Sequence, residues 1–143
     1  YSEYNANFMK TMIRLGREKP QVRVIADQHG SPTYAVDLAR GLWHMVAQLR
    51  LKATPGGETA IYHFSNYGVT TWYDFSTAIL GIAGLRTPVE PILSEEYPLP
   101  TPRPAYSALW PRRFSNDFRF PLRHWRTALV EAVNAFRQSE GAL

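Results

Sequence analysis

One stretch commits this chain to a mixed architecture. Val22, Val24 and Ile25 alternate as a strand does, and Val36, Ala39, Leu42, Trp43, Val46 and Leu49 recur at helical spacing. Between them lies the polar turn Asp27-Gln28-His29-Gly30-Ser31-Pro32-Thr33-Tyr34. Gly30 can take backbone angles closed to other residues, and Pro32 fixes its own. Thr33 and Asp37 can satisfy free N–H groups where the helix starts. A turn this polar is either a capped connection or one wall of a ligand site. Its own chemistry favours the capped connection, because most strand-to-helix loops carry such residues for backbone reasons.

The rest of the chain supplies the partners. Phe8, Met12 and Leu15, flanked by Met9 and Ile13, predict a helix that Asn7 or Asn5 caps and that ends between Gly16 and Pro20. Thr54-Pro55-Gly56-Gly57 reads as a loop. Ile61-Tyr62-His63-Phe64 reads as a short buried strand. Thr71-Trp72-Tyr73-Asp74 fits a capping box with Asp in the usual Glu position, opening a helix that turns Trp72, Phe75, Ile79 and Ile82 inward. Pro91-Ile92-Leu93 reads as a strand, and Arg112 to Ser115 as the start of a short helix. Leu122, Trp125, Leu129, Ala132, Val133 and Phe136 form the apolar stripe of a final helix. From Tyr97 to Pro111, Pro98, Pro100, Pro102, Pro104 and Pro111 forbid a regular helix or a central strand. The expectation is an α/β fold of about four helices and three short strands, with a proline-rich irregular segment.

Composition narrows the function classes. The 143 residues carry 45% hydrophobic and 20% charged side chains, as a globular protein does. No apolar run approaches the roughly 20 residues of a membrane span, so no membrane partner is expected and the cytoplasm is the expected compartment. With no cysteine, disulfides and thiolate metal sites are excluded. A net charge of +4 permits an anionic ligand such as a nucleotide. The arginines at 112, 113, 119, 123 and 126 carry no nucleic-acid signature, and their interleaved aromatics match a helix core stripe, so no nucleic-acid partner is expected. Residue 1 is Tyr, so the chain is expected to be a fragment of a longer protein.

No self-sufficient active site is present. His29, His44, His63 and His124 do not pair at metal-ligand spacing, and no metal site is expected. The adjacent Glu95 and Glu96 would point to opposite faces of a strand. There is no Gly-rich nucleotide loop and no Tyr-x-x-x-Lys pair, so no catalytic or cofactor-binding residue is assigned. Arg103 stands between Pro102 and Pro104, which stiffen the segment presenting it, and its guanidinium suits phosphate oxygens as well as a surface role.

Five blocks together resemble a family. Gln28-x-Gly30-Ser31-Pro32-Thr33-Tyr34-Ala35-x-Asp37-Leu38-Ala39 resembles the hallmark of the dTDP-4-dehydrorhamnose reductases, in the extended short-chain dehydrogenase/reductase superfamily. Asn7-Phe8-x-x-Thr11-Met12, Ile61 to Asn66 with Thr71 to Phe75, Arg103-Pro104-x-x-Ser107-x-Leu109 and Pro121 to Leu129 resemble further blocks in the same order. The resemblance implies reduction of the C4 ketone of dTDP-4-dehydro-L-rhamnose with NADPH or NADH, giving dTDP-L-rhamnose for cell-wall polysaccharide. It implies that the cofactor turn and the catalytic Tyr-x-x-x-Lys belong to an N-terminal half not included in this chain. Residues 1–143 are then one substrate-binding lobe, inactive alone, with a dTDP-sugar as ligand; alone it is expected either to be self-contained or to associate through exposed apolar surface, as in a homodimer. Asn7, Gln28, Gly30, Ser31, Pro32, Thr33 and Arg103 match positions that line the nucleotide-sugar site. Val36 stands where some members carry an acidic metal ligand, and valine cannot ligate a metal. The resemblance also places the Ile61 to Phe64 strand at the edge of the missing cofactor sheet. An epimerase, a dehydratase or a non-catalytic regulatory homologue of the same superfamily is the alternative. A proline-rich interaction module is the alternative of another class.

Overall fold

Helix α1 (Phe8–Glu18) starts where the Asn7 side chain accepts the Lys10 N–H, and it turns Met9, Met12, Ile13 and Gly16 inward. In the computed structural model, which describes residues 1–51, 59–97, 100–101 and 103–141, nine further elements follow. They are β1 (Val22–Ile25), β2 (His29–Gly30), α2 (Ala35–Leu51), β3 (Thr70–Thr71), α3 (Trp72–Ile82), β4 (Val89–Ile92), a 3-10 turn (Ser94–Glu96), α4 (Arg112–Phe118) and α5 (Trp125–Gly141). The expected loop at 54–57 lies outside the described residues, as do Pro98, Leu99 and Pro102.

Two small sheets set the frame. β1 pairs in parallel with β4, Val22 opposite Val89 and Ile25 opposite Ile92. The ladder continues one step further, where the Ala26 N–H donates to the Ile92 carbonyl (2.9 Å). β2 pairs antiparallel with β3, His29 opposite Thr71. On the other side of β2, the His29 N–H donates to the Ala105 carbonyl (2.8 Å) and the Ser107 N–H to the His29 carbonyl (2.9 Å). Residues 105–107, just after Pro104, are thus pinned as a strap along the polar turn.

The core lies between α1, α3, α5 and the β1–β4 pair: Met9, Ile13, Val24, Phe75, Ile79, Leu129 and Val133 are all buried. A Cβ at Gly16 would stand 2.6 Å from Leu80 Cδ2, so the close approach of α1 and α3 depends on a residue without a side chain. Among the described residues, no helix is long and apolar enough to cross a membrane.

Among the described residues there are five α-helices, in line with the expected four or so, and the helix expected to start at Arg112 to Ser115 runs on to Phe118. Several sequence expectations are corrected. Residues 61–64 form no strand among the described residues. Ile61 is exposed, while Tyr62 and Phe64 lean on Phe114, Phe118 and Phe120. The strand expected at Pro91 to Leu93 runs two residues earlier at its start, because its register follows β1. The apolar stripe of α2 does not enter this core: Leu42, Trp43, Val46 and Leu49 are exposed, Trp43 at 76%. The side of α2 that packs is the one bearing Asp37 and Gly41, in line with Tyr34 just before the helix.

Candidate functional site

The polar turn leaves the carboxyl end of β1 and is held from four directions. The strap and β3 flank β2. The Ser31 hydroxyl accepts the Leu109 N–H (3.2 Å), and the Ser107 hydroxyl donates to the His29 carbonyl (3.1 Å). The Tyr1 backbone bridges the helix start, its N–H donating to the Thr33 carbonyl (2.9 Å) and its carbonyl accepting the Ala35 N–H (2.9 Å). The Tyr34 N–H donates to Asn66 Oδ1 (2.8 Å).

Thr33 and Asp37 therefore do not cap α2 as expected; Tyr1 and Asn66 take that role. Asp37, 5% exposed, instead accepts two bonds from Arg123, at 2.6 Å from Nη2 and 3.2 Å from Nε. It also accepts the Asn66 Nδ2 amide (2.7 Å), while Arg123 reaches on to Glu131 (2.5 Å). The Asp37 bonds raise the pKa of the Arg123 guanidinium above its ordinary value. This network joins α2, α5 and the segment before β3 directly behind the turn. Gly30 is also not where a special backbone angle is needed: among the described glycines only Gly68 and Gly84 have positive φ. A Cβ at Gly30 would meet the Ser107 hydroxyl at 3.5 Å, an ordinary van der Waals contact, so the strap leaves room for a small side chain there.

In front of the turn lies a cleft of about 380 Å3. Asn7, Gln28, Gly30, Ser31, Pro32 and Thr33 all line it. Facing them is an aromatic wall of Tyr1, Phe8, Trp72 and Phe75, and Thr70, Thr71 and Ser107 complete the rim. Phe8 and Trp72 lie 4.7 Å apart between ring centroids. A second cleft, about 180 Å3, shares Phe8, Gln28 and Trp72 with the first and is lined further by Arg23, Tyr97 and Arg103. Arg103, the remaining expected site residue, is exposed there and does not line the larger cleft. Asn7 lines the larger cleft but its side chain is already engaged: Oδ1 caps α1 and Nδ2 donates to the Ser2 carbonyl (2.8 Å). Its contribution is the shape of the wall rather than a free amide.

The sequence reading missed Trp72, Thr70, Thr71 and Ser107. Trp72 was expected to point inward with Phe75 and Ile79; it is 39% exposed and faces the clefts, because it occupies the first turn of α3, ahead of the core. Ser107 had a signal, since it falls in the same sequence block as Arg103. Burial holds the Tyr1 phenol well above its ordinary pKa, and burial with Glu3 beside it pushes Tyr34 up to about 12. Both phenols stay protonated at neutral pH. Asp27, at the foot of the turn, is held below the ordinary carboxylate range by the Ser94 hydroxyl and then by the Ser94 N–H. Among the described residues, no group of three or more His, Asp or Glu side chains is placed to share a metal ion. Aromatic faces opposed by hydroxyls and amides, with a guanidinium in the adjoining cleft, suit a ligand that is part ring, part polyol and part anion.

A family model described as the RmlD substrate binding domain matches residues 1–138. The chain belongs to that family. It is 44% identical over 131 residues to the spore coat polysaccharide biosynthesis protein SpsK of Bacillus subtilis, covering 92% of this chain and 43% of that protein. The RmlD-family fold is likewise that of a dTDP-4-dehydrorhamnose reductase from Clostridium acetobutylicum, with a TM-score of 0.82 and 31% identity, covering 93% of this chain and 45% of the other. The Bacillus anthracis dTDP-4-dehydrorhamnose reductase, solved in complex with NADP, matches with a TM-score of 0.76 and 33% identity over 92% of this chain and 44% of its own. The chain spans less than half the length of each of these relatives.

Proposed function

We propose that residues 1–143 form a single substrate-binding lobe of an enzyme that reduces dTDP-4-dehydro-L-rhamnose to dTDP-L-rhamnose. The observation that carries this reading is the placement of Gln28 to Thr33 opposite the Tyr1, Phe8, Trp72 and Phe75 wall, with Arg103 in the adjoining cleft. The aromatic rings offer flat surfaces to the base and sugar, the turn offers hydroxyl and amide groups, and Arg103 is suited to the diphosphate. A nicotinamide bound by the remainder of the parent would supply the hydride for the C4 ketone. This lobe orients that ketone and excludes water from it. A homodimer and a cytoplasmic location are part of the proposal.

Oxidation of NADPH by the full-length parent on addition of dTDP-4-dehydro-L-rhamnose tests it. Turnover by the parent with none by the 143-residue chain alone is expected. Turnover by this chain alone, or a parent that ignores the substrate, contradicts it.

A further inference from the structure

A three-residue relay runs from the end of β1 to the end of β4. The Ser94 N–H donates to both Asp27 oxygens (3.1 Å each), and the Ser94 hydroxyl donates to Asp27 Oδ1 (2.7 Å). An ionised carboxylate only accepts, so the single hydroxyl hydrogen of Ser94 is spent on it. Toward Gln28, whose side-chain amide lies 2.9 Å away, Ser94 can then only accept. The group that Gln28 turns to Ser94 must be its NH2, and Oε1 must face the other way. Gln28 is 6% exposed and lines both clefts. Among the described residues, nothing donates to its Oε1, yet that oxygen is not among the sealed, unpartnered atoms.

We infer that Asp27 and Ser94 are positioning residues that fix the Gln28 amide with its carbonyl oxygen toward the clefts, and so select a ligand offering a hydrogen-bond donor at their junction. The inference rests on the proposed reading of the clefts as the dTDP-sugar site. The donor is an O–H or N–H of that ligand, from the base or from the hexose. Without the relay the amide is free to turn, and its NH2 repels the same donor.

Steady-state kinetics of the full-length parent test this. Asp27→Asn, Ser94→Ala and Gln28→Ala should each raise the substrate KM about five- to tenfold, as loss of one uncharged hydrogen bond does, with kcat within about twofold. Ser94→Thr, which keeps the hydroxyl, should restore the KM. Adding Asp27→Asn to Gln28→Ala should change nothing further. Additive effects would make Asp27 a merely structural residue and overturn the inference. Inhibition by dTDP separates the sources: a parallel weakening places the donor on the nucleoside, and unchanged inhibition places it on the hexose. If Arg103→Ala and Thr33→Ala raise KM while the relay variants do not, the relay fails and the substrate reading stands. If none of the five raises it, both fail.

Discussion

Replacing Asp37 with Ala should unfold the parent protein early, although Asp37 stands behind the proposed site rather than in it. The residue is 5% exposed and receives two bonds from Arg123, one from Asn66 and one from Arg40. The Arg40 pair involves a side chain 54% exposed, and such pairs contribute about 0–1 kcal/mol. The Arg123 pair contributes more. Breaking a buried ion pair costs about 3–5 kcal/mol, because the surviving charge is left without its partner. Arg123 keeps Glu131 and its side chain is 32% exposed, so water screens part of that loss. The expected net cost is about 2–4 kcal/mol, or roughly 10 °C in Tm for a domain of this size. Asn66 also loses an acceptor, so the Tyr34 N–H it holds loosens and the substrate KM should rise. Thermal unfolding of Asp37→Ala, Arg123→Ala and the double variant is the assay. The double variant should lose clearly less than the sum of the singles. A Tm for Asp37→Ala within about 2 °C of the unsubstituted protein, equivalent to about 0.5 kcal/mol, would refute the reasoning.

Three further outcomes are expected. Gly68 has φ +100°, and a Cβ there would stand 2.7 Å from His124 Nε2, so Gly68→Ala should cost about 1–3 kcal/mol, read by urea unfolding. The Asp27 carboxyl is depressed by Ser94, so its contribution to stability is full above about pH 4, the unfolded value, and fades as pH falls through the folded one. Stability measured against pH should therefore lose part of its acid-side slope in Asp27→Asn, and an unchanged slope would argue that the Ser94 contacts do not persist in solution. The isolated chain should bind an apolar dye through the exposed α2 face, and Trp43→Glu should reduce that binding; a compact monomer that binds no dye contradicts this.

The contiguous parts of the site were legible in the sequence, and the assembled parts were not. Gln28 to Thr33 form one wall from one stretch of chain, so their polar chemistry could be read directly. Thr70, Thr71 and Ser107 reach the same cleft only through the β2–β3 pairing and the strap, and neither pairing leaves a periodic mark. Trp72 was misplaced because an aromatic in phase with Phe75 and Ile79 reads as core, whereas its place in the first turn of α3 sets it beyond the packed layer. The roles of Thr33 and Asp37 were misread for a related reason: capping chemistry is local, but the nearest partners of this helix start come from Tyr1 and Asn66. The helices were legible because apolar spacing survives without tertiary context. The strand expected at 61–64 had the right composition, but a pairing neighbour is something no pattern within a strand can supply. The same applies to the α2 stripe, which the period identified correctly as apolar but could not assign to a covering surface.

The most direct test is to titrate the full-length parent with dTDP-L-rhamnose and follow backbone amide resonances. The account predicts saturable shifts at Gly30, Ser31, Thr33, Thr71 and Arg103, on both sides of the clefts, with Trp43 and the outer face of α2 unmoved. Shifts confined to residues outside the two clefts, or no saturable shift at all, would contradict it.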